Sequence, residues 1–251
     1  MTSFDLSGKT ALVTGGSRGI GAAIVKLFAE HGATVGYCHY GDNANAAALQ
    51  DRMSAAGYKI AHTICDVSRE EAVHQLKVWS DAELGHVDIL VNCAGIGGDL
   101  LFEDITIAEF DRQIGVHLRG TFMVTKQFYS PMAEKGWGRI INVSSQLAYK
   151  GAPGQSHYCA AKAGIVGFTR ALSYEAAPKG VTVNSIAPGP VETDMLMGLS
   201  DSWRQMKLNQ LPAKRFGRVN EIAPTALLLA SDEGSFFVGQ TLSPNGGDIM
   251  L

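Results

Sequence analysis

Tyr158 and Lys162 stand four residues apart, a spacing that on a helix projects both side chains from one face. A phenol ionises near pH 10, too high for proton exchange at neutral pH unless a neighbouring cation favours the phenolate. The Lys162 ammonium is such a cation. Ser145 precedes the pair, at the end of an apolar strand-like run, where its hydroxyl could polarise a carbonyl. Together the three could pass a proton to or from an oxygen. Each alone also has a plain structural reading: a YxxxK pair arises easily by chance, and a strand-end serine often closes a turn.

A second group is suited to binding. Thr14-Gly-Gly-Ser-Arg-Gly-Ile-Gly21 follows a short apolar strand and opens a helical period. Gly15 permits the turn, Gly19 lets backbone approach a diphosphate, and Gly21 lets the helix pack closely on a sheet, while the first amides of that helix face the anion. Ser17, Arg18 and Ile20 lie in the same loop. The spacing is TGxxxGxG rather than GxGxxG, so the mechanics agree with a dinucleotide loop although the usual pattern does not. Two further short runs point the same way: Asp66-Val67 at the end of the third strand, and Asn92-Cys-Ala-Gly95 at the end of the fourth.

These residues must be held by an alternating chain. Short apolar runs at Thr10–Thr14, Thr34–Cys38, Ile60–Cys65, Ile89–Asn92, Arg139–Val143, Val181–Ile186 and Gln240–Ser243 read as strands. Between them, helical periods cover Ile20–Glu30, Asn43–Ala56, Glu70–Leu84, a long segment Ile107–Lys135, Gln155–Ala177 and Asn220–Ala230. Such alternation builds right-handed βαβ units. The expected fold is a single-domain, Rossmann-type α/β fold: a doubly wound parallel seven-stranded sheet with helices on both faces, spanning 1–251. The least regular stretch, about 189–218, has the length of a substrate lid.

Composition sets bounds on function. With 251 residues, 46% hydrophobic and 18% charged, the chain has material for a large core, and its net charge of −3 argues against nucleic acid as a partner. The longest uninterrupted apolar run is the five residues Ala226–Ala230, far short of the roughly twenty that a membrane span needs. Met1–Leu6 has neither a basic nor an apolar stretch, so a cytoplasmic location is expected. The four cysteines share no CxxC spacing and the histidines form neither HExxH nor HxxxH, so they read as core thiols and no metal is expected.

Taken jointly, TGGSRGIG at 14–21, DV at 66–67, NCAG at 92–95, Ser145, YCAAK at 158–162, and PG at 188–189 followed by Thr193 resemble the short-chain dehydrogenase/reductase family in its compact form. The resemblance covers essentially the whole chain. It implies that Tyr158 is the general acid in reduction and the base in oxidation. Lys162 would bind the nicotinamide ribose and lower the Tyr158 pKa, and Ser145 would orient the carbonyl. Asn92, Ala94 and Gly95 would line the adenosine and ribose side, and Pro188, Gly189, Val191 and Thr193 would hold the nicotinamide. One departure stands out. The family usually has Asn within a VNLxG-like stretch, where it helps hold a proton-relay water, whereas this chain has Val116-His-Leu-Arg-Gly120 and places His117 there.

Cofactor choice follows from the second strand. NAD-preferring relatives end it with an Asp that repels a 2′-phosphate, and the matching position here is His39, followed by Tyr40. With Arg18 in the loop to attract the extra phosphate, NADPH is favoured over NADH, although Asp42 keeps NAD open. Within the family the chain looks most like bacterial 3-oxoacyl-carrier-protein reductases. The expected reaction is reduction of a ketone, with carrier-protein-linked or CoA-linked 3-oxoacyl thioesters as one substrate class. The alternative is NAD-dependent oxidation of a secondary alcohol or polyol. An acidic carrier protein needs a basic entrance, for which Lys135, Lys179 and Arg139 are candidates. Met195, Leu196, Met197, Leu199 and Trp203 form either a substrate wall or an ordinary lid core. Relatives are mostly tetramers, and Phe236-Phe237-Val238 with Ile249-Met250-Leu251 would suit a homotetramer contact.

Overall fold

Unbroken apolar runs become the strands of one parallel sheet in the computed structural model, which describes residues 4–250. Met1–Ser3, read above as part of a terminus without a leader, and Leu251 of the apolar tail lie outside the described residues. The strands are β1 (Thr10–Thr14), β2 (Thr34–His39), β3 (Ile60–Ile64), β4 (Ile89–Asn92), β5 (Gly138–Val143), β6 (Val181–Ile186) and β7 (Thr241–Leu242). Among the described residues they run in the order β3-β2-β1-β4-β5-β6-β7, every pairing parallel. The order reverses between β1 and β4, which opens a crevice at their carboxyl ends.

Helices cover both faces. They are α1 (Gly19–Glu30), α2 (Asn43–Ala55), α3 (Glu70–Glu83), α4 (Ile107–Ile114), α5 (Gly120–Lys135), α6 (Leu147–Lys150), α7 (Ser156–Ala176), α8 (Asp194–Met197), α9 (Asp201–Gln210) and α10 (Val219–Ala230). The strand period of two splits the core. Val13, Ile89 and Ile141 pack with Ile24 and Phe28 of α1 and Leu229 of α10, whereas Leu12, Leu90 and Ile140 pack with Leu76 of α3 and Val124 and Phe128 of α5. Each such side chain stabilises the fold by roughly 1.5–3 kcal/mol. No helix among the described residues is long and apolar enough to cross a membrane.

Several boundaries differ from the sequence expectation, each for a local reason. The third strand stops at Ile64, because Asp66 turns the chain by accepting from the Ser68 N–H (3.0 Å) and hydroxyl (2.7 Å). Asp66-Val67 therefore follows the strand instead of ending it. Ser145 likewise lies two residues beyond β5, before the short α6 that the sequence reading missed. The long segment 107–135 is interrupted by a π-helical turn at Gly115–Arg119. The stretch 189–218 is not structureless, since it carries α8 and α9, the latter capped by Ser200, whose hydroxyl accepts from the Trp203 N–H.

The supposed basic entrance is at the wrong edge. Lys135 donates to Asp88 (2.6 Å) just before β4, and Arg139, 4% exposed, stacks on Trp137 and faces Asp232 (3.5 Å). Lys179 precedes β6. All three belong to the amino ends of the strands, opposite the crevice. Phe236, by contrast, is fully exposed and Met250 largely so.

Candidate active site

α7 starts beside the carboxyl end of β5 and carries Tyr158 and Lys162 one turn apart. The buried Lys162 ammonium donates to the Val143 carbonyl (2.8 Å) and lies 5.6 Å from the centre of the Tyr158 ring. The Ser144 hydroxyl holds the same helix by donating to the Lys162 carbonyl (2.8 Å). Ser145, next in the chain, is buried and accepts from the Leu147 N–H (3.1 Å). Serine, tyrosine and lysine are thus gathered at one sheet edge.

The electrostatics correct one expectation. Burial pushes the Tyr158 phenol up to about 12, against the pull of its hydrogen bond with Ser145, and it pushes Lys162 down to about 8. In the protein alone the Tyr158 phenol thus stands above its ordinary value rather than below it. Burial is the leading cause of both shifts, and one N–H of the ammonium is given to the Val143 carbonyl.

His117 sits in the π-helical turn, 1% exposed. Its Nε2 lies 3.0 Å from the Ile96 carbonyl oxygen, and its Nδ1 is buried without a partner. Burial first, and then the Lys162 charge, hold its pKa well below the usual value. A Cβ on Gly95 would meet its Cε1 at 2.7 Å, so glycine there makes room for the ring.

The glycine loop has the shape of a phosphate cradle. Gly15 and Gly19 take φ of +66° and +57°, the left-handed region that favours glycine. A Cβ on Gly15 would lie 2.8 Å from the Ala94 Cα, and one on Gly21 only 2.1 Å from the Gly15 carbonyl oxygen. The Thr14 hydroxyl accepts from the N–H groups of Cys93 (3.0 Å) and Ala94 (3.1 Å), fixing the β4 loop beside the β1 loop. Arg18 gives α1 no side-chain cap, so the open amides of Gly19, Ile20 and Gly21 can meet a phosphate. These residues fit a nicotinamide dinucleotide. Thr193 approaches from the other side, its Cγ2 3.5 Å from where a Gly19 Cβ would be. Val191 is buried, and Gly189, after Pro188, packs against Asn245 so closely that any Cβ would collide at 2.6 Å.

Three expected contacts are placed differently. His39 is turned inward, 2% exposed, with Nε2 3.2 Å from His62 Nδ1, while Tyr40 is exposed. The residue that faces the loop is Asp42, which accepts from the Ser17 hydroxyl (2.6 Å) and lies 3.9 Å from the Arg18 Nε. Asn92 is also buried, its amide donating to Thr125 (2.9 Å) and Asn142 (2.8 Å), so it ties β4 to α5 and β5. Those two partners carried no sequence signal. In the lid, Leu196 packs with Leu211 and Phe216, and Trp203 rests on them, whereas Met195 and Met197 are exposed, Met195 beside Gly97. The apolar stripe is therefore divided between lid core and open surface.

Comparison with known proteins agrees with this geometry. The family model described as enoyl-(acyl carrier protein) reductase matches residues 15–248. The chain is 43% identical over 242 residues to the 3-oxoacyl-[acyl-carrier-protein] reductase FabG of Chlamydia muridarum, covering 96% of this chain and 98% of that one. It is 42% identical over 243 residues to the acetoacetyl-CoA reductase of Allochromatium vinosum, covering 96% and 99%. A solved structure of a putative gluconate dehydrogenase from Agrobacterium tumefaciens superposes with a TM-score of 0.95 at 31% identity, covering 99% and 98% of the two chains.

Proposed function

Because the chain belongs to the short-chain dehydrogenase/reductase family, we propose that it reduces a ketone to a secondary alcohol with NADPH, 3-oxoacyl thioesters being the leading substrate class. It is an oxidoreductase acting on the CH–OH/C=O pair, and its cofactor is NAD(P)H. The observation that carries the reading is the gathering of Ser145, Tyr158 and Lys162 at the sheet edge that also holds the glycine cradle.

The cofactor supplies the hydride when bound. Ser145 donates to the carbonyl oxygen and holds it toward Tyr158, whose neutral phenol delivers the proton as charge builds on that oxygen. Burial raises the Tyr158 phenol and so works against proton donation at neutral pH, and the transfer is driven by the charge building on the carbonyl oxygen. Lys162 binds the nicotinamide ribose and replenishes the proton, with His117 behind it as relay. Gly15, Ser17, Arg18, Gly19, Ile20 and Gly21 bind the diphosphate end, Asp66, Val67, Asn92, Ala94 and Gly95 line the adenosine and ribose side, and Pro188, Gly189, Val191 and Thr193 hold the nicotinamide. Residues 189–218 close over the substrate, and the two methionines suit an acyl chain.

Arg18 supports NADPH, its side chain being 63% exposed between the carboxylates of Asp42 (3.9 Å) and Asp194 (3.8 Å), where it could meet a 2′-phosphate. One observation favours a second reading: the Asp42 carboxylate beside the loop would accept from a free ribose hydroxyl and repel a phosphate. On that reading the protein is an NAD-dependent dehydrogenase of secondary alcohols or polyols. Paired titrations with NADPH and NADH, followed by nicotinamide fluorescence and then by turnover of acetoacetyl-CoA, decide between them. Tight NADPH with turnover supports the reductase; tight NADH without ketone reduction overturns it. The same reading makes the protein a cytoplasmic homotetramer, and a monomer mass by light scattering would reject that assembly.

A further inference from the structure

One carboxylate ties together three separate segments around the site. Asp248, 3% exposed at its side chain, accepts from Lys207 of α9 (2.6 Å), from Lys150 of α6 (2.8 Å) and from the Gln146 side-chain amide. Burial opposes its charge, but the hydrogen bonds from Lys150, Lys207 and Gln146 hold its carboxyl below the usual range. Gln146 follows Ser145, and its own N–H donates to the Pro188 carbonyl (3.1 Å). The carboxylate thus reaches the serine loop, the post-β6 segment and the lid.

The tail bearing Asp248 is itself fixed. Asn245 donates to the Ser243 hydroxyl (2.8 Å) and the Ile249 carbonyl (2.9 Å), Ser243 donates to the Ala187 carbonyl (2.7 Å), and the Ala213 N–H donates to the Gly246 carbonyl (3.0 Å). The lid joins this tail near its end, through Ala213, while its helices are packed on each other through the cluster of Leu196, Leu211 and Phe216. That cluster gives α9 no anchor on the serine loop. The buried Lys207–Asp248 pair does.

We propose that Asp248 is a positioning residue that pins α9 and α6 on either side of the substrate and sets substrate placement while leaving dinucleotide affinity alone. This rests on the reading of 189–218 as a lid over a ketone site. The charge count makes the pin strict: two ammoniums share one carboxylate, so losing that charge leaves Lys150 and Lys207 repelling each other across the opening.

The test compares Asp248→Asn, Asp248→Glu, Lys207→Met and the Asp248→Asn/Lys207→Met pair in the full chain, with acetoacetyl-CoA and NADPH. Asp248→Asn should raise KM for the ketone about ten-fold, the scale expected when a positioned substrate shifts by less than an ångström. NADPH Kd should stay within about two-fold, and Asp248→Glu should recover part of the loss. The double variant should be no worse than Asp248→Asn, because Lys207→Met removes the repulsion. Amide hydrogen exchange over 201–210 should quicken in Asp248→Asn while 120–135 stays unchanged. Unchanged KM, additive losses, or a matching rise in NADPH Kd would overturn the pin. If the unaltered protein reduced no ketone, the functional reading would fail, and the exchange data would still judge the pin: quickened exchange supports it, unchanged exchange overturns it.

Discussion

His117 and Tyr158 stand edge to face, their ring centres 5.2 Å apart and their planes at 87°. The His117 Nε2 lies between both Ile96 backbone groups, 3.0 Å from the carbonyl oxygen and 3.3 Å from the N–H, and its Nδ1 is buried without a partner; the tautomer that donates to the carbonyl leaves Nδ1 as a lone pair. An imidazole kept neutral by burial beside the Tyr158 phenol is a suitable proton acceptor. The family position usually filled by an amide is here filled by a base.

His117→Ala should therefore lower turnover about 10²-fold, the scale of a lost proton-transfer group, while NADPH Kd stays within about two-fold. Steady-state rates and a fluorescence titration check this; equal turnover in the two proteins would remove His117 from the relay. The stability sign is fixed as well. The unfolded chain takes up a proton near pH 6.5 that the folded ring refuses, so stability falls as pH drops below about 6.5, and His117→Gln should remove that part of the acid sensitivity.

Tyr158→Phe keeps the ring against His117 and removes the acid. Ketone reduction should fall by about 10³-fold or more with dinucleotide affinity little changed. Retained turnover would reassign the proton donor.

Lys162 costs stability where it serves function. The unfolded side chain holds its proton up to about 10.5, the folded one only to about 8, so at pH 7 the burial penalty is about 3 kcal/mol, fading as pH rises between those values. Lys162→Met should raise the unfolding free energy at pH 7 by about 1–2 kcal/mol, after the Val143 carbonyl loses its donor, and abolish turnover. Urea denaturation at pH 7 and pH 9.5 should show the gain shrinking; a gain that ignores pH would contradict this account.

Cofactor selection should shift at two positions. Arg18→Ala removes the phosphate partner and should weaken NADPH by about ten-fold or more while sparing NADH. Asp42→Ala removes the carboxylate beside the loop, leaving Arg18 with Asp194 (3.8 Å), and should strengthen NADPH relative to NADH. If Arg18→Ala weakens both cofactors equally, the arginine binds the shared diphosphate instead.

The fold was readable because parallel strands buried on both faces are continuous apolar runs, and β4 and β6 were located to the residue. The glycine loop was readable because backbone at positive φ needs glycine at Gly15 and Gly19. What escaped depends on side-chain direction. Sequence spacing located His39 at the end of β2 but not its turn toward His62, nor the turn of Asp42 toward the loop. Lys162 could be paired with Tyr158 by its position on the helix, but the balance of desolvation against attraction depends on burial that no tetrapeptide encodes. The Asp248 linkage joins positions 146, 150, 207 and 248, which no local pattern connects.

The π-helical turn at Gly115–Arg119 has its own consequence. A wide turn holds one residue more than the regular helix it interrupts, so α4 and α5 are out of phase by about 100°. Shortening the turn by one residue would restore a seamless rod, yet it would swing one half relative to the other. Either His117 would leave Ile96, or Phe128 and Met132 would leave the core. The insertion is a phase shifter: it lets one continuous helix satisfy the chemistry at one end and the packing at the other.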